Sequence, residues 1–371
     1  MQVNRIGILS GGGDCAGINP TIKWVVKTAL DERLQRERGL RYEVIGIRDG
    51  WQGLLEVTTM PLDQEIVRTW DRYGGTMLGT SRTNPGNPEN DRIQTVLENI
   101  EKLGLSAVIA IGGDDTLSVA YRLHQAGISV VGIPKTIDKD LPETDYTLGF
   151  ETAVNVITEE IDRLRTTAGS HQRIFVVETM GRHSGWLALE GGESSGAFII
   201  LIPECDFVPE NIYRLVREGR QDGARYNIIV AAEGAKPVGG AEFVRESGLD
   251  AFGHKKLGGI AEALAREIER ATGLETRSVN LSHLQRGGAP CAYDRRMGRY
   301  FGIAAVDLVT ANDFGKMVCL KNGRITACPL ECVIGRTSFV DVATQYDAER
   351  YNGRRTILGD RNNTNRRQQE K

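Results

Sequence analysis

The strongest constraint on how this 371-residue chain can fold is an alternation. Short apolar runs of four to six residues, at 6–9, 42–47, 107–111, 130–133, 174–179, 197–202 and 227–232, are separated by longer stretches with helical spacing, such as 18–34 and 116–126. Runs this apolar have no solvent-facing side. The spacing therefore predicts an α/β fold: parallel sheets covered by helices on both faces. In such sheets ligands bind beyond the carboxyl ends of the strands.

Glycine collects at those ends. The chain has 44 glycines, about 12% against a usual ~7%. No collagen-like period and no 20–50-residue repeat organises them, so they are local backbone devices. Gly11-Gly12-Gly13-Asp14 follows the first run and precedes a helix pattern. It is neither a P-loop nor a dinucleotide fingerprint. It reads equally as a phosphate cradle at a helix N-terminus or as a tight turn. Gly112-Gly113-Asp114-Asp115-Thr116 repeats the arrangement with two carboxylates. Carboxylates repel phosphate unless a cation such as Mg²⁺ stands between them. Asp114 is the candidate for that metal, and Asp115 or Thr116 for a helix cap.

Pro134-Lys135-Thr136-Ile137-Asp138-Lys139-Asp140 is the densest cluster, two carboxylates and two lysines after an apolar run. Lysine offers charge to a phosphate, threonine a hydroxyl donor, and aspartate can take a proton from an attacking alcohol. Ser170-His171-Gln172-Arg173, Thr276-Arg277 and His283-Leu284-Gln285-Arg286-Gly287-Gly288 flank further runs. Together they suggest a second phosphate-bearing ligand.

Bulk properties exclude other classes. Forty-six Lys and Arg against 49 Asp and Glu give a net charge of −3, which argues against a nucleic-acid binder or a membrane-surface protein. The first residues run straight into a strand pattern, so no signal peptide is expected, and no apolar run approaches the ~20 residues of a membrane span. Six scattered cysteines suit reduced thiols and a cytoplasmic protein; Cys328 and Cys332 are the one close pair and lack the partners of a zinc site. Residues 352–371 are polar and expected to form a loose, disordered tail.

Gly11–Asp14, the run Gly74-Gly75-Thr76-Met77-Leu78-Gly79-Thr80-Ser81-Arg82, Gly112–Thr116, Pro134–Asp140, Ser170–Arg173, Met180-Gly181-Arg182 and His283–Gly288 occur in the order seen in phosphofructokinases. From residue 6 to about 345 the chain resembles that family. The resemblance implies two doubly wound, three-layer Rossmann-like lobes with the site between them. The phosphoryl-donor lobe would be 1–149 plus 285–335, and the sugar-phosphate lobe 150–284 plus 336–351. It implies transfer of a phosphoryl group to the 1-hydroxyl of fructose 6-phosphate with Mg²⁺. Asp138 would be the base, with Asp114 and Asp140 on the metal. Thr136, Arg82 and Lys135 would contact the transferring phosphoryl, and Gly13 and Gly113 the donor phosphates. Met180, Gly181, Arg182, Glu233, His283 and Arg286 resemble the sugar-phosphate contacts. Arg173 and Arg277 resemble a pair lent by a neighbouring subunit, in a homodimer or homotetramer.

Members of this family use ATP or pyrophosphate. ATP-dependent members generally carry glycine where this chain has Asp115. A side chain and a negative charge there obstruct and repel a nucleotide's α-phosphate, while Lys135 supplies charge for pyrophosphate. The expectation is a reversible pyrophosphate-dependent phosphofructokinase; an ATP-dependent enzyme or a catalytically silent regulatory subunit are the alternatives. Lys23, Lys27 and Arg165 keep part of the family's basic effector site but Thr58 replaces an arginine, so weak or absent allostery is expected. Lys139 stands where the family usually has Asn, and Ser282 where it usually has Gly. A cation at 139 is expected to lower the pKa of the carboxylates beside it.

Overall fold

Each apolar run coincides or overlaps with a strand in the computed structural model, which describes residues 3–240, 244–249 and 255–357. The chain runs β1 (Val3–Ser10), α1 (Ile18–Ala29), α2 (Glu32–Arg38), β2 (Arg41–Ile47), α3 (Trp51–Glu56), β3 (Thr59–Leu62), α4 (Ile93–Leu103), β4 (Ala107–Gly112), α5 (Asp114–Gln125) and β5 (Val130–Pro134). Then come α6 (Phe150–His171), β6 (Ile174–Thr179), α7 (Trp186–Ser194), β7 (Ile199–Leu201), α8 (Pro209–Gln221), β8 (Asn227–Ala232), β9 (Val244–Leu249), β10 (Lys255–Leu257), α9 (Ile260–Thr272) and β11 (Thr276–Asn280). It closes with α10 (Ala292–Thr310), β12 (Lys316–Lys321), β13 (Arg324–Pro329), α11 (Val342–Gln345), β14 (Tyr346–Asp347) and β15 (Asn352–Gly353).

Two sheets carry the architecture. The larger has seven strands in the order β13-β12-β5-β4-β1-β2-β3. It is parallel except at its edges, where β3 and β13 run antiparallel to their neighbours. The smaller, β11-β6-β8-β7, is wholly parallel. Side chains of the large sheet alternate between two apolar layers. Ile6, Ile8, Ile109, Ile111, Val131 and Ile133 enter one core, and Leu9, Val108, Ala110 and Val130 the other. The first core continues without a break into the small sheet through Ile157, Ile174, Val176 and Ile229. The two sheets are thus held by shared apolar packing.

Three local expectations change. Residues 18–34 are not one helix: Asp31 accepts hydrogen bonds from the backbone of Arg33 and Leu34, both at 3.0 Å, and starts α2 afresh. Neither Asp115 nor Thr116 caps α5, because the helix already begins at Asp114 and its N-cap position is Gly113. The tail expected over 352–371 is ordered where it begins. Asn352 and Gly353 pair with β14, and Asn352 Nδ2 donates to the carbonyls of Ala197 and Phe198 at 2.9 and 3.0 Å. Its residues 358–371 lie outside the described residues. Among the described residues, no helix is long and apolar enough to cross a membrane.

Candidate active site

β1, β4 and β5 are neighbours in the large sheet, so the turns at their carboxyl ends lie side by side. β6 and β8 are likewise neighbours in the small sheet. The turns following all five strands contribute walls to one cavity of about 430 Å³. From the large sheet come Gly13, Gly113, Asp114, Asp115, Lys135, Thr136, Asp138 and Asp140, together with Arg82 from a loop. Met180 and Arg182 follow β6, Glu233 follows β8, and Arg286 reaches in from the short 3₁₀ turn Ser282–Arg286. Thirteen of the expected site residues therefore share one cavity, although the sequence scatters them over more than 270 positions.

The glycines serve close approach. A Cβ on Gly13 would stand 2.6 Å from an Arg286 guanidinium nitrogen, and on Gly11 or Gly112 within 2.6 Å of Thr116 Oγ1. They let site side chains pack onto the turns. Lys135 is buried beneath them and donates from Nζ to the Gly13 carbonyl at 2.5 Å. Burial lowers the pKa of its ammonium.

The carboxylates shift the other way. Burial raises the Asp138 carboxyl, opposed by the charges of Arg286, Arg182 and Lys135. Its Oδ1 is buried without a hydrogen-bond partner, while its carbonyl accepts from Ser184 Oγ at 3.0 Å. Asp140 is pushed up to about 7 by burial and then by the charge of Asp138. Glu233 is likewise raised to about 7, by burial first and Asp138 second. An acid with a raised pKa and an open oxygen is suited to take up a proton.

Lys139 does not lower these values. Its backbone is left-handed, with φ of 54°, and its ammonium is engaged by other groups. Nζ bonds Glu190 Oε1 at 2.7 Å and lies over the rings of Trp186 and Phe150, 4.7 and 4.9 Å from their centres. Asparagine tolerates such a conformation easily; here an ion pair and two ring contacts hold a lysine in it. Ser282 is similar, at φ 41° where glycine was expected.

Four expected residues lie elsewhere. Gly181 sits between two lining residues, at φ 128°, without lining the cavity itself. His283 faces a separate cavity of about 660 Å³ with Glu159, Glu160 and Leu284. Arg173 and Arg277 both pair with Glu275, at 2.8 and 2.5 Å. They stand at the amino ends of β6 and β11, roughly 20 Å, one six-residue strand, from the turns that line the cavity. His183, Leu141 and the segment Gly335, Arg336 and Thr337 line the cavity and were missed. Proximity to Met180-Gly181-Arg182 could have pointed to His183, but no local pattern marks the other four.

The residues fit a divalent cation of the Mg²⁺ type. Asp114 and Asp140 both line the cavity, and no group of three or more potential ligands exists among the described residues. Mg²⁺ is commonly held by one or two carboxylates plus the substrate's phosphates. Among the basic residues noted outside the site, Lys23 pairs with Asp71 at 2.7 Å, and Arg165 donates to the Tyr226 hydroxyl at 3.1 Å.

A family model described as Phosphofructokinase matches residues 5–309. The pyrophosphate–fructose 6-phosphate 1-phosphotransferase of Dictyoglomus thermophilum is 48% identical over 92% of this chain and 97% of its own. The ATP-dependent 6-phosphofructokinase 3 of Streptomyces coelicolor is 44% identical over 93% of this chain and 99% of its own. The crystal structure of a pyrophosphate-dependent phosphofructokinase from Marinobacter aquaeolei superposes with a TM-score of 0.81 at 23% identity, covering 95% of this chain and 89% of its own, and shares the fold.

Proposed function

This chain belongs to the phosphofructokinase family, and on that premise we propose that it moves a phosphoryl group reversibly from pyrophosphate to the 1-hydroxyl of fructose 6-phosphate. The products are fructose 1,6-bisphosphate and phosphate. The observation that carries the donor assignment is Asp115, on the wall of the cavity beside Gly113 and Asp114. Its carboxylate opposes the α-phosphate of a nucleotide and leaves room for a donor with two phosphates. The pyrophosphate-using relative is also somewhat more similar than the ATP-using one, 48% against 44%.

In this reading Asp138 accepts the proton of the 1-hydroxyl through its unpartnered Oδ1. The sugar oxygen then attacks phosphorus, and the bond to the departing phosphate breaks. Arg82, Thr136 and Lys135 hold the transferring group, and Gly13 and Gly113 face the donor. Met180, Arg182, Glu233 and Arg286 hold the sugar phosphate, with Gly181 setting the turn between two of them. Asp114 and Asp140 would hold Mg²⁺, which would supply positive charge to offset that of the phosphates. Little covalent work is asked of the protein; position and charge supply the catalysis.

Residues 1–149 with 285–335 form the donor lobe on this reading, and 150–284 with 336–351 the sugar lobe. Arg173 and Arg277 lie too far from this chain's own cavity to serve it, which supports their being lent to a neighbour in a homodimer or larger homo-oligomer. His283, expected as a sugar-phosphate contact, lines a separate cavity and is given no role in this one. The weakened basic effector set supports activity without strong nucleotide control. A sigmoidal response to ADP or phosphoenolpyruvate would count against that.

The deciding experiment compares pyrophosphate with ATP as donor, with fructose 6-phosphate and Mg²⁺ present. Pyrophosphate should give the higher kcat/KM. Faster turnover with ATP would overturn the donor assignment.

A further inference from the structure

The segment after β13 lines the cavity and is hydrogen-bonded to turns and helices of both sheets. Gly335 N donates to Asp114 Oδ1 at 2.8 Å, and Ser338 N to the Asp140 carbonyl at 2.7 Å. On the other side, Trp186 Nε1 donates to the Ser338 carbonyl at 3.2 Å. Glu204 Oε1 accepts from Val340 N and Gly185 N, both at 2.9 Å. Gly335 makes its turn at φ 66°, a conformation that suits glycine and brings its N–H to Asp114. Two contacts on carboxylate-bearing turns of one sheet and two on the other give this strap a defined place. Between its fastenings it presents Arg336 and Thr337 to the cavity.

We propose that Arg336 is a donor-binding, specificity-determining residue whose guanidinium grips the phosphates of inorganic pyrophosphate. The inference rests on the donor reading above and adds a residue to it. The lining carries Asp115, given no ligand in the proposed reaction, Asp114 and Asp140, which would face Mg²⁺, and the cations Arg82, Lys135 and Arg286, of which Arg286 is given to the sugar phosphate. Lys135 is partly committed to the Gly13 carbonyl. A dianionic or more highly charged donor entering this wall needs further positive charge. Pyrophosphate has no nucleoside, so its affinity must come almost entirely from contacts to its oxygens. The planar guanidinium fork suits phosphate oxygens better than any other side chain. Arg336 is exposed on the rim, adjacent in sequence to the Gly335–Asp114 bond. Its charge also reaches Glu143, whose main partner is Lys321 at 2.7 Å.

The test uses the full-length enzyme, Arg336→Ala and Arg336→Lys. Initial rates are measured against pyrophosphate at saturating fructose 6-phosphate, and the reverse. The alanine variant should raise KM for pyrophosphate about 10- to 100-fold. KM for fructose 6-phosphate should stay within about twofold, with an unchanged Tm, and lysine should restore part of the loss. An unchanged KM for pyrophosphate, equal rises in both KM values, or a fall in Tm as the only effect overturns the inference and leaves the donor reading standing. Turnover of wild type with ATP alone overturns the donor reading. Calorimetric binding of inorganic pyrophosphate with Mg²⁺ then decides the inference by itself: weaker binding to Arg336→Ala than to wild type supports it. Equal binding, or none to wild type, overturns it.

Discussion

At the scale of single residues, a few carboxyls carry most of the testable chemistry. Asp138→Ala removes the proposed base and should lower kcat by about 10²- to 10⁴-fold, while the melting temperature holds or rises because a buried charge is gone. Asp115→Gly removes a side chain and a charge from the donor wall. It should raise kcat/KM for ATP, and no gain would defeat the occlusion argument. Glu233 makes a prediction about stability. Burial raises its folded-state pKa from an ordinary 4.5 to about 7. The folded chain therefore binds this proton more tightly than the unfolded chain. Stability from this group is present below about pH 4.5 and is lost as pH rises to 7. In the ligand-free protein, Glu233→Gln should be more stable than wild type at pH 8 by at most about 3 kcal/mol, and equal to it at pH 4. Urea unfolding at the two pH values reads this directly.

Among the elements, Asp294 is the main polar tie. It is fully buried in the first turn of α10. Its carboxylate accepts from the Tyr146 hydroxyl and Gly149 N, both at 2.7 Å, and from Thr152 N and Oγ1 at 3.0 and 2.5 Å. These donors span the start of α6 and the loop that returns from the Asp138 turn. Thr147 Oγ1, in that loop, donates to the Thr136 carbonyl at 2.7 Å. Asp294→Ala would leave four buried donors unsatisfied and should destabilise by about 3–5 kcal/mol, read as a lower urea midpoint. Asp294→Asn should lose less. The strands were legible in the sequence because an apolar run that ends in a glycine turn is a local pattern. The break between α1 and α2 was less so, since Asp31 looks like any polar residue inside a helical period until its side chain is seen to cap the backbone.

For the molecule as a whole, one apolar core runs under both sheets. An active site placed between them depends on that shared packing. If Arg173 serves a neighbour, Asp138→Ala and Arg173→Ala are each inactive alone yet complementary. Unfolding them together and refolding should recover roughly a quarter of wild-type sites, since half of randomly paired dimers are mixed and one of their two sites is complete. No recovery would place Arg173 outside a shared site. The sequence by itself determined the α/β class and the groups on three adjacent strand ends, because each motif is contiguous and follows its own apolar strand. Tertiary structure alone decided what Lys139 pairs with, which cavity His283 lines, and that Arg336 lines the one that holds Asp138. Those outcomes depend on backbone handedness and on packing between segments up to some 200 residues apart, as Gly335 and Asp114 are, and a linear pattern holds no record of such distances.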